Sequence, residues 1–270
     1  MHAHPGADVW RTPPAPPLAD ADVHVWRVQL DDAVDAESYW SVLSDEEQGR
    51  ARRFYREVHG RRFTVAHGAL RVILASYLGE APESLAFRTG EHGKPSLERA
   101  SGAGERALEF NLSHSDDVAL VAVAVGRPVG VDVERYSDDT EHLALAERFF
   151  SPSEREALRA LADDPARLTE GFFAVWSRKE AYLKAIGCGI TRGLHHFDVA
   201  LAPGTSARIL ADRLDPTAAE RWAMRSIDAA PGFSAALVAA APLRDVLLFD
   251  VVQANARTLA LAVASGGIGA

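Results

Sequence analysis

The chain has 270 residues, of which 47% are hydrophobic and 25% are charged, a composition typical of a globular protein. Its net charge of −9 argues against general nucleic-acid binding, which requires a positive surface. The single cysteine, Cys188, excludes an intrachain disulfide and favours a reducing, cytoplasmic setting. No apolar run approaches the roughly 20 residues of a membrane helix, and the N-terminus lacks the pattern of a signal peptide, so we expect no membrane association.

The N-terminal segment is rich in proline between residues 12 and 17. Consecutive prolines are incompatible with a helix interior or a central strand. Residues 1–19 are therefore predicted to be a disordered tail.

Helices and strands of the first half follow this tail. Alternating apolar residues predict a strand over 23–30. Ser44 and Glu47 have the spacing of a capping box at the start of a helix. Apolar residues at helical spacing predict a second helix over 61–77, and the apolar run 118–125 is short enough for a strand buried on both faces.

The second half repeats this pattern. A helix is predicted near 170–186, followed by strands near 197–201, 222–226 and 233–240. The predicted fold class is α+β, with two similar α+β subdomains in a pseudo-twofold arrangement and the active site between them. The predicted lobes are residues 20–127 and 128–242, and no role can be assigned to a C-terminal extension over 243–270.

The sharpest local motif is the pentapeptide Gly-Val-Asp-Val-Glu at residues 130–134. In a strand, Asp132 and Glu134 lie on one face, with Cα atoms roughly 6–7 Å apart. Two carboxylates at that distance repel each other, and a hard cation such as Mg²⁺ would relieve the repulsion. The alternative is a solvated strand face, or a local ion pair with Arg135.

A second motif lies on the helix predicted near 170–186. Trp176, Glu180 and Lys184 are spaced by four and share one ridge. Glu180 would supply a third carboxylate or act as a general base, and Lys184 would hold a phosphate, with Lys179 facing the same cleft. The alternative is an ordinary Glu-to-Lys pair on a helix surface.

Basic residues are concentrated between residues 50 and 71. Arginine side chains bind phosphate oxygens through two parallel hydrogen bonds, so this segment favours a phosphate-bearing ligand. His114, in the segment Phe-Asn-Leu-Ser-His-Ser at 110–115, would bond a phosphate as well. A solvated basic helix and a structural histidine are the alternatives.

Taken in order, these motifs resemble one family. The chain is similar to the 4′-phosphopantetheinyl transferases of the surfactin-synthetase-activating type, the two-lobed monomeric class, over about residues 22–240. The matching segments are Arg-Ala-Arg-Arg-Phe-Tyr (50–55), Gly-Lys-Pro (93–95), Phe-Asn-Leu-Ser-His-Ser (110–115), Gly-Val-Asp-Val-Glu-Arg (130–135), Arg-Phe-Phe-Ser-Pro-Ser-Glu (148–154), Trp-Ser-Arg-Lys-Glu-Ala-Tyr-Leu-Lys (176–184) and Gly-Cys-Gly-Ile (187–190).

The resemblance implies a function and a set of site residues. It implies transfer of 4′-phosphopantetheine from coenzyme A to a serine of an apo acyl or peptidyl carrier protein, dependent on Mg²⁺, with release of adenosine 3′,5′-bisphosphate. The implied metal ligands are Asp132, Glu134 and Glu180, and the implied catalytic residues are Glu180, Lys184 and Asp132. The implied coenzyme A contacts are Arg50, Arg53, Arg62 and His114 at the 3′-phosphate, Lys94 and Pro95 near the adenine, Lys184 at the pyrophosphate, and Ser113 and Lys179.

Other points follow less directly. Glu154 matches an acid of the family, but its own segment indicates a capping box with Ser151 and Pro152 at the start of a helix. Either Glu180 or a metal-bound hydroxide could take the serine proton. The implied setting is a cytoplasmic monomer serving polyketide or non-ribosomal peptide carriers. Two rival functions remain. One is a non-catalytic module that binds coenzyme A. The other is a phosphotransferase that acts on nucleotides, which is disfavoured because the sequence has no P-loop motif.

Overall fold

The computed structural model of the protein describes residues 8–98, 107–189, 192–201, 206–251 and 255–263. The first seven residues of the predicted tail and the last seven of the C-terminal extension lie outside these ranges. Within them, no helix combines the length and the apolar character needed to cross a membrane.

The helices and strands have the following bounds. The helices are α1 (Ala36–Trp40), α2 (Asp45–Arg52), α3 (Glu57–Leu78), α4 (His142–Phe149), α5 (Pro152–Arg159), α6 (Pro165–Ile186), α7 (Ala218–Arg221) and α8 (Ala256–Val263). The strands are β1 (Trp10–Arg11), β2 (Val23–Gln29), β3 (Phe87–Thr89), β4 (Pro95–Leu97), β5 (Leu108–Ser115), β6 (Val118–Val125), β7 (Val129–Arg135), β8 (Phe197–Val199), β9 (Ile209–Asp212), β10 (Trp222–Ile227), β11 (Phe233–Ala240) and β12 (Val246–Val251).

The first lobe is a five-stranded sheet covered by α3. The strand order is β1-β12-β2-β6-β5, in which β12 runs parallel to both of its neighbours and the other pairs are antiparallel. Apolar side chains of α3 pack against one face of this sheet. The helix ends at Gly79, whose φ of 67° is the left-handed conformation that favours glycine at a helix C-terminus.

The second lobe contains a three-stranded antiparallel sheet, β10-β11-β7, covered by α6. Along β11, Ala236 and Val238 face α6, whereas Ala235, Leu237 and Ala239 pack against the sheet of the first lobe. The two sheets therefore lie face to face between α3 and α6. This packing explains why all eight residues of β6 are buried, as the sequence predicts.

A close approach of α6 to β7 brings the two predicted motifs together. A Cβ atom on Gly130 would lie 2.2 Å from the carbonyl oxygen of Ala181 and 2.3 Å from the amide nitrogen of Ala185. Only glycine fits at this position. Because Val131 and Val133 pack between the sheets, the side chains of Asp132 and Glu134 lie on the face toward α6, as the strand alternation predicts.

The two ends of the chain differ from their predictions. Within the tail predicted to be disordered, Trp10 and Arg11 pair with β12, and Leu18 is 0% exposed. The extension over 243–270, to which no role was assigned, supplies β12 to the first sheet and α8 to the surface of α3. The first lobe therefore contains segments from both ends of the chain: β1 pairs with β12, and Leu18 is buried in the core of that lobe.

Candidate functional site

Asp132 is the most buried acid of the candidate site. Asp132 is 2% exposed, and its Oδ1 accepts hydrogen bonds from Ser113 Oγ at 3.0 Å and Lys184 Nζ at 2.6 Å. Its Oδ2 is buried with no hydrogen-bond partner. Burial raises the pKa of Asp132, whereas the bonds from Lys184 and Ser113 act in the opposite direction.

The charges of Glu134 and Glu180 interact with that of Asp132. Burial, followed by repulsion from Asp132, raises the pKa of Glu134 to about 7, and Glu180 contributes to the same effect. Burial and the charge of Asp132 likewise raise the pKa of Glu180. The three predicted acids therefore share one electrostatic environment, in which each carboxylate makes the ionisation of the others less favourable.

Lys184 connects the acids to the first lobe. It lies one helical turn after Glu180 on α6, and its ammonium group donates to Asp132 and also to Ser113 Oγ at 2.8 Å. The predicted ridge of Glu180 and Lys184 thus faces β7, rather than forming an exposed surface pair. The position of Lys184 lets it neutralise an anion bound beside the acids.

Side chains of β5 bind the free edge of β7. The backbone amides of Val131, Val133 and Arg135 donate to Asn111 Oδ1 at 2.8 Å, to Ser113 Oγ at 3.4 Å and to Ser115 Oγ at 3.1 Å, respectively. Ser115 Oγ also donates to Glu134 Oε2 at 3.0 Å. These contacts join the two lobes through side chains at every second position of β5, and they hold both acids of β7.

Sequence reasoning missed two members of this set, Asn111 and Ser115. The available signal was the alternation of polar residues at 111, 113 and 115 within a strand, which places them on one face.

A group of positive charges surrounds His114. Desolvation in the cleft lowers the pKa of His114 to about 4, although a substantial part of this residue stays exposed. The charges of His67, Lys184, Arg50 and Arg62 act in the same direction. The structure therefore brings together three of the residues predicted to contact the 3′-phosphate: Arg50, Arg62 and His114.

Arg62 and His67 have further partners on this side of the cleft. Arg62 Nη1 lies 2.6 Å from Asp116 Oδ1, and its Nε is buried with no partner. The ring of His67 stacks on Phe63, and its Nδ1 lies 3.6 Å from Glu47 Oε1. An anion here would add a partner for Arg62 and relieve the mutual repulsion of the group.

The other predicted contacts of the ligand lie at different places. Arg53 is exposed at the C-terminal end of α2. Lys94 extends from the β3–β4 hairpin to the second lobe, where Nζ donates to the carbonyl oxygens of Val129 at 2.9 Å and Ala185 at 3.5 Å. Pro95 begins β4. The expected contacts of Arg53 with the 3′-phosphate and of Lys94 and Pro95 with the adenine stay predictions.

Lys179 does not face the cleft, which corrects the expectation for this residue. It is 0% exposed, and its Nζ lies 2.8 Å from Glu154 Oε2 and donates to the carbonyl oxygens of Leu194 and Phe197. These three acceptors use all its donors, so none is left for a phosphate. Glu154 also forms the predicted capping box with Ser151, which confirms its structural role.

The acids fit a cation through their charges rather than through a preformed cage. Within the described ranges, no group of three or more His, Cys, Asp or Glu side chains has the arrangement of a metal site. The unpartnered Oδ2 of Asp132 and the mutual repulsion of the carboxylates nevertheless favour a bound cation. An acidic group beside a positive one suits a phosphate ester bound together with a divalent cation.

Comparisons with known proteins agree with this chemistry. The family model described as the 4′-phosphopantetheinyl transferase superfamily matches residues 128–240, and the model described as 4′-phosphopantetheinyl transferase, N-terminal, matches residues 29–126. The chain is 41% identical to the 4′-phosphopantetheinyl transferase HetI of Nostoc sp., over 73% of this chain and 81% of the relative. It is 30% identical to the 4′-phosphopantetheinyl transferase Sfp of Bacillus subtilis, over 76% of this chain and 86% of the relative.

Proposed function

The chain belongs to the 4′-phosphopantetheinyl transferase superfamily, and we propose that it transfers 4′-phosphopantetheine from coenzyme A to a serine of an apo acyl or peptidyl carrier protein. The reaction releases adenosine 3′,5′-bisphosphate. The observation that carries the proposal is the position of Lys184, which bonds Asp132 and Ser113 while its charge also acts on His114. The acidic and the positive groups are thus neighbours in one cleft.

Coenzyme A carries a pyrophosphate and a 3′-phosphate, and each matches one group of the cleft. Arg50, Arg62 and His114 bind the 3′-phosphate, because their mutual repulsion decreases when an anion lies among them. Lys184 exchanges part of its contact with Asp132 for an oxygen of the pyrophosphate. Both phosphate groups are then held by positive charge, which fixes the reacting phosphorus in position.

Asp132, Glu134 and Glu180 would hold Mg²⁺. When bound, the ion supplies positive charge that polarises the pyrophosphate and favours departure of the adenosine bisphosphate. Mg²⁺ is placed among these three side chains because a cation there would remove the repulsion between their carboxylates.

Glu180 has a second role as the base for the carrier serine. Glu180 lies one helical turn before Lys184 on α6, so its carboxylate is placed to accept the serine proton beside the bound diphosphate. The serine oxygen attacks the β-phosphorus of coenzyme A, the serine proton passes to Glu180, and the phosphoanhydride bond to the adenosine bisphosphate breaks. Positioning and charge neutralisation provide most of the acceleration in such transfers.

The proposed setting is a cytoplasmic monomer that modifies carriers of polyketide or non-ribosomal peptide synthases. The single cysteine and the net charge of −9 support a reducing compartment and the absence of nucleic-acid partners.

The direct test uses coenzyme A labelled in its pantetheine arm and a panel of apo carriers. The label should appear on the carrier in the presence of Mg²⁺, together with one equivalent of adenosine 3′,5′-bisphosphate. A carrier whose acceptor serine is replaced by alanine is the matched control. Binding of coenzyme A without transfer to any carrier would favour the non-catalytic rival.

A further inference from the structure

Ser115 occupies the last position of β5, opposite Glu134 of the other lobe. Its Oγ accepts from the backbone amide of Arg135 at 3.1 Å and donates to Glu134 Oε2 at 3.0 Å. A hydroxyl has one proton, so accepting from the amide leaves that proton directed at the carboxylate. The two bonds together fix the orientation of the hydroxyl.

Glu134 depends on this contact more than Asp132 depends on Ser113. Asp132 also receives the ammonium of Lys184, whereas among the described residues Ser115 is the only side chain that hydrogen-bonds Glu134. In its ionised form Glu134 is also repelled by the carboxylates of Asp132 and Glu180. Without the hydroxyl, repulsion would turn its carboxylate toward solvent.

The backbone of β7 adds to the effect. The amides of Val131, Val133 and Arg135 point to β5 and are satisfied by its side chains. Ser115 is the outermost of these contacts, so it fixes the end of β7 from which Glu134 projects.

We infer that Ser115 is a positioning residue, which holds the Glu134 carboxylate beside Asp132 so that both can share one divalent cation. The inference rests on the proposed function, since it assumes Mg²⁺ among these acids. Groups that hydrogen-bond metal ligands commonly change metal affinity by about 10–100-fold when removed.

The experiment measures binding of Mg²⁺ alone to the full chain by isothermal titration calorimetry, and separately kcat and KM for coenzyme A. Ser115→Ala should lose about tenfold or more in Mg²⁺ affinity. Ser115→Thr, which keeps the hydroxyl, should bind as the wild-type chain does. Ser153→Ala is the matched control, because Ser153 also donates to a carboxylate, that of Asp198 at 3.1 Å, and should leave Mg²⁺ affinity unchanged.

A double-mutant cycle separates positioning from a general structural role. If Ser115 acts through Glu134, Ser115→Ala should cause no further loss of Mg²⁺ affinity in a Glu134→Gln background. A second tenfold loss there, or wild-type affinity in Ser115→Ala, would overturn the inference.

Should Ser115→Ala fail to fold, Ser115→Cys keeps the volume with a weaker donor and carries the same expectation. If the wild-type chain binds no Mg²⁺, the proposed metal site fails and the inference fails with it. If the wild-type chain binds Mg²⁺ and transfers phosphopantetheine, and Ser115→Ala binds Mg²⁺ equally well, only the inference fails.

Discussion

The ammonium group of Lys184 lies 2.6 Å from Oδ1 of Asp132, which joins the last turns of α6 to the middle of β7. Asp132 is buried, and its pKa is raised by that burial in spite of the ion pair. A buried carboxylate with a single cationic partner would therefore be stabilised further by a second positive charge. This relationship predicts that stability and catalysis respond differently to changes at the pair.

Replacing Lys184 with methionine should destabilise the protein, because it leaves the Asp132 carboxylate buried without its cation. The expected loss in the free energy of unfolding is about 1–3 kcal/mol, measured by denaturant titration without Mg²⁺. The double variant Lys184→Met with Asp132→Asn should recover most of this loss but should not transfer phosphopantetheine. Arg221→Ala removes a surface ion pair with Asp215 and, as the control, should leave the free energy of unfolding close to that of the wild type. A Lys184→Met variant as stable as the wild type would contradict the role of the pair.

Gly130→Ala should disturb both the fold and the site. The added Cβ would meet backbone atoms of Ala181 and Ala185 at 2.2 and 2.3 Å, so α6 must move away from β7. Overpacking of this kind costs about 1–3 kcal/mol, and the shift would also carry Glu180 and Lys184 away from Asp132. We expect a lower melting temperature together with loss of transfer.

Gly49→Ala is the matched control for this substitution. A Cβ there would lie 3.7 Å from its nearest neighbour, a side-chain nitrogen of Arg53, and α2 would gain up to about 1 kcal/mol from the better helix former. Equal melting temperatures for Gly130→Ala and the wild type would show that the close approach is not required.

His114 should report the arrival of a phosphate. In the free protein its pKa is about 4, because desolvation and the neighbouring charges, those of Lys184, Arg50 and Arg62 among them, disfavour the protonated ring. An anion among these groups favours the charged ring, so binding of adenosine 3′,5′-bisphosphate should raise the pKa. The measurement is a pH titration of the histidine ring protons by NMR, with His114→Gln to assign the signal. A pKa that stays near 4 in the complex would place the 3′-phosphate elsewhere.

A buried histidine in the first lobe should limit stability in acid. His24 is 0% exposed, its Nδ1 lies 2.6 Å from the hydroxyl of Tyr77, and burial lowers its pKa to about 4. Because the folded pKa lies below the unfolded value of about 6.5, the unfolded chain binds the proton first. The contribution of His24 is present above about pH 6.5 and is lost as the pH falls toward 4, by up to about 3 kcal/mol.

The variant His24→Phe should remove this part of the pH dependence. Unfolding free energies measured from pH 7 to pH 4 should fall less steeply for His24→Phe than for the wild type. His59→Phe, at an exposed position, should follow the wild-type slope. Parallel slopes for the wild type and His24→Phe would assign the acid sensitivity to other groups.

Local patterns were enough to predict the parts of the site that lie on single elements. The alternation in β7 predicts that Asp132 and Glu134 share a face, and the four-residue spacing on α6 predicts that Glu180 and Lys184 share a ridge. The structure places these two faces against each other. The capping box of Ser44 and Glu47 was likewise predicted from spacing alone.

Features set by distant contacts could not be predicted in this way. The parallel pairing of β12 with β2 joins Val246 to Val23 and has no local signal, which is why the C-terminal segment was left without a role. Lys179 lies beside Glu180 in sequence, but adjacent helical residues point about 100° apart. The side chain of Lys179 therefore points into the second lobe, where it forms an ion pair with Glu154. The contact of Ser115 with Glu134 depends on how the lobes meet.

The most direct test of the account is transfer of labelled phosphopantetheine by the variants Asp132→Ala and Glu180→Ala, measured on chains shown by circular dichroism to be folded. The proposal assigns the acids of β7 and α6 to one bound diphosphate, so each substitution should by itself abolish label on the carrier. Transfer at the wild-type rate by either folded variant would remove that residue from the site and contradict the shared role of the two elements.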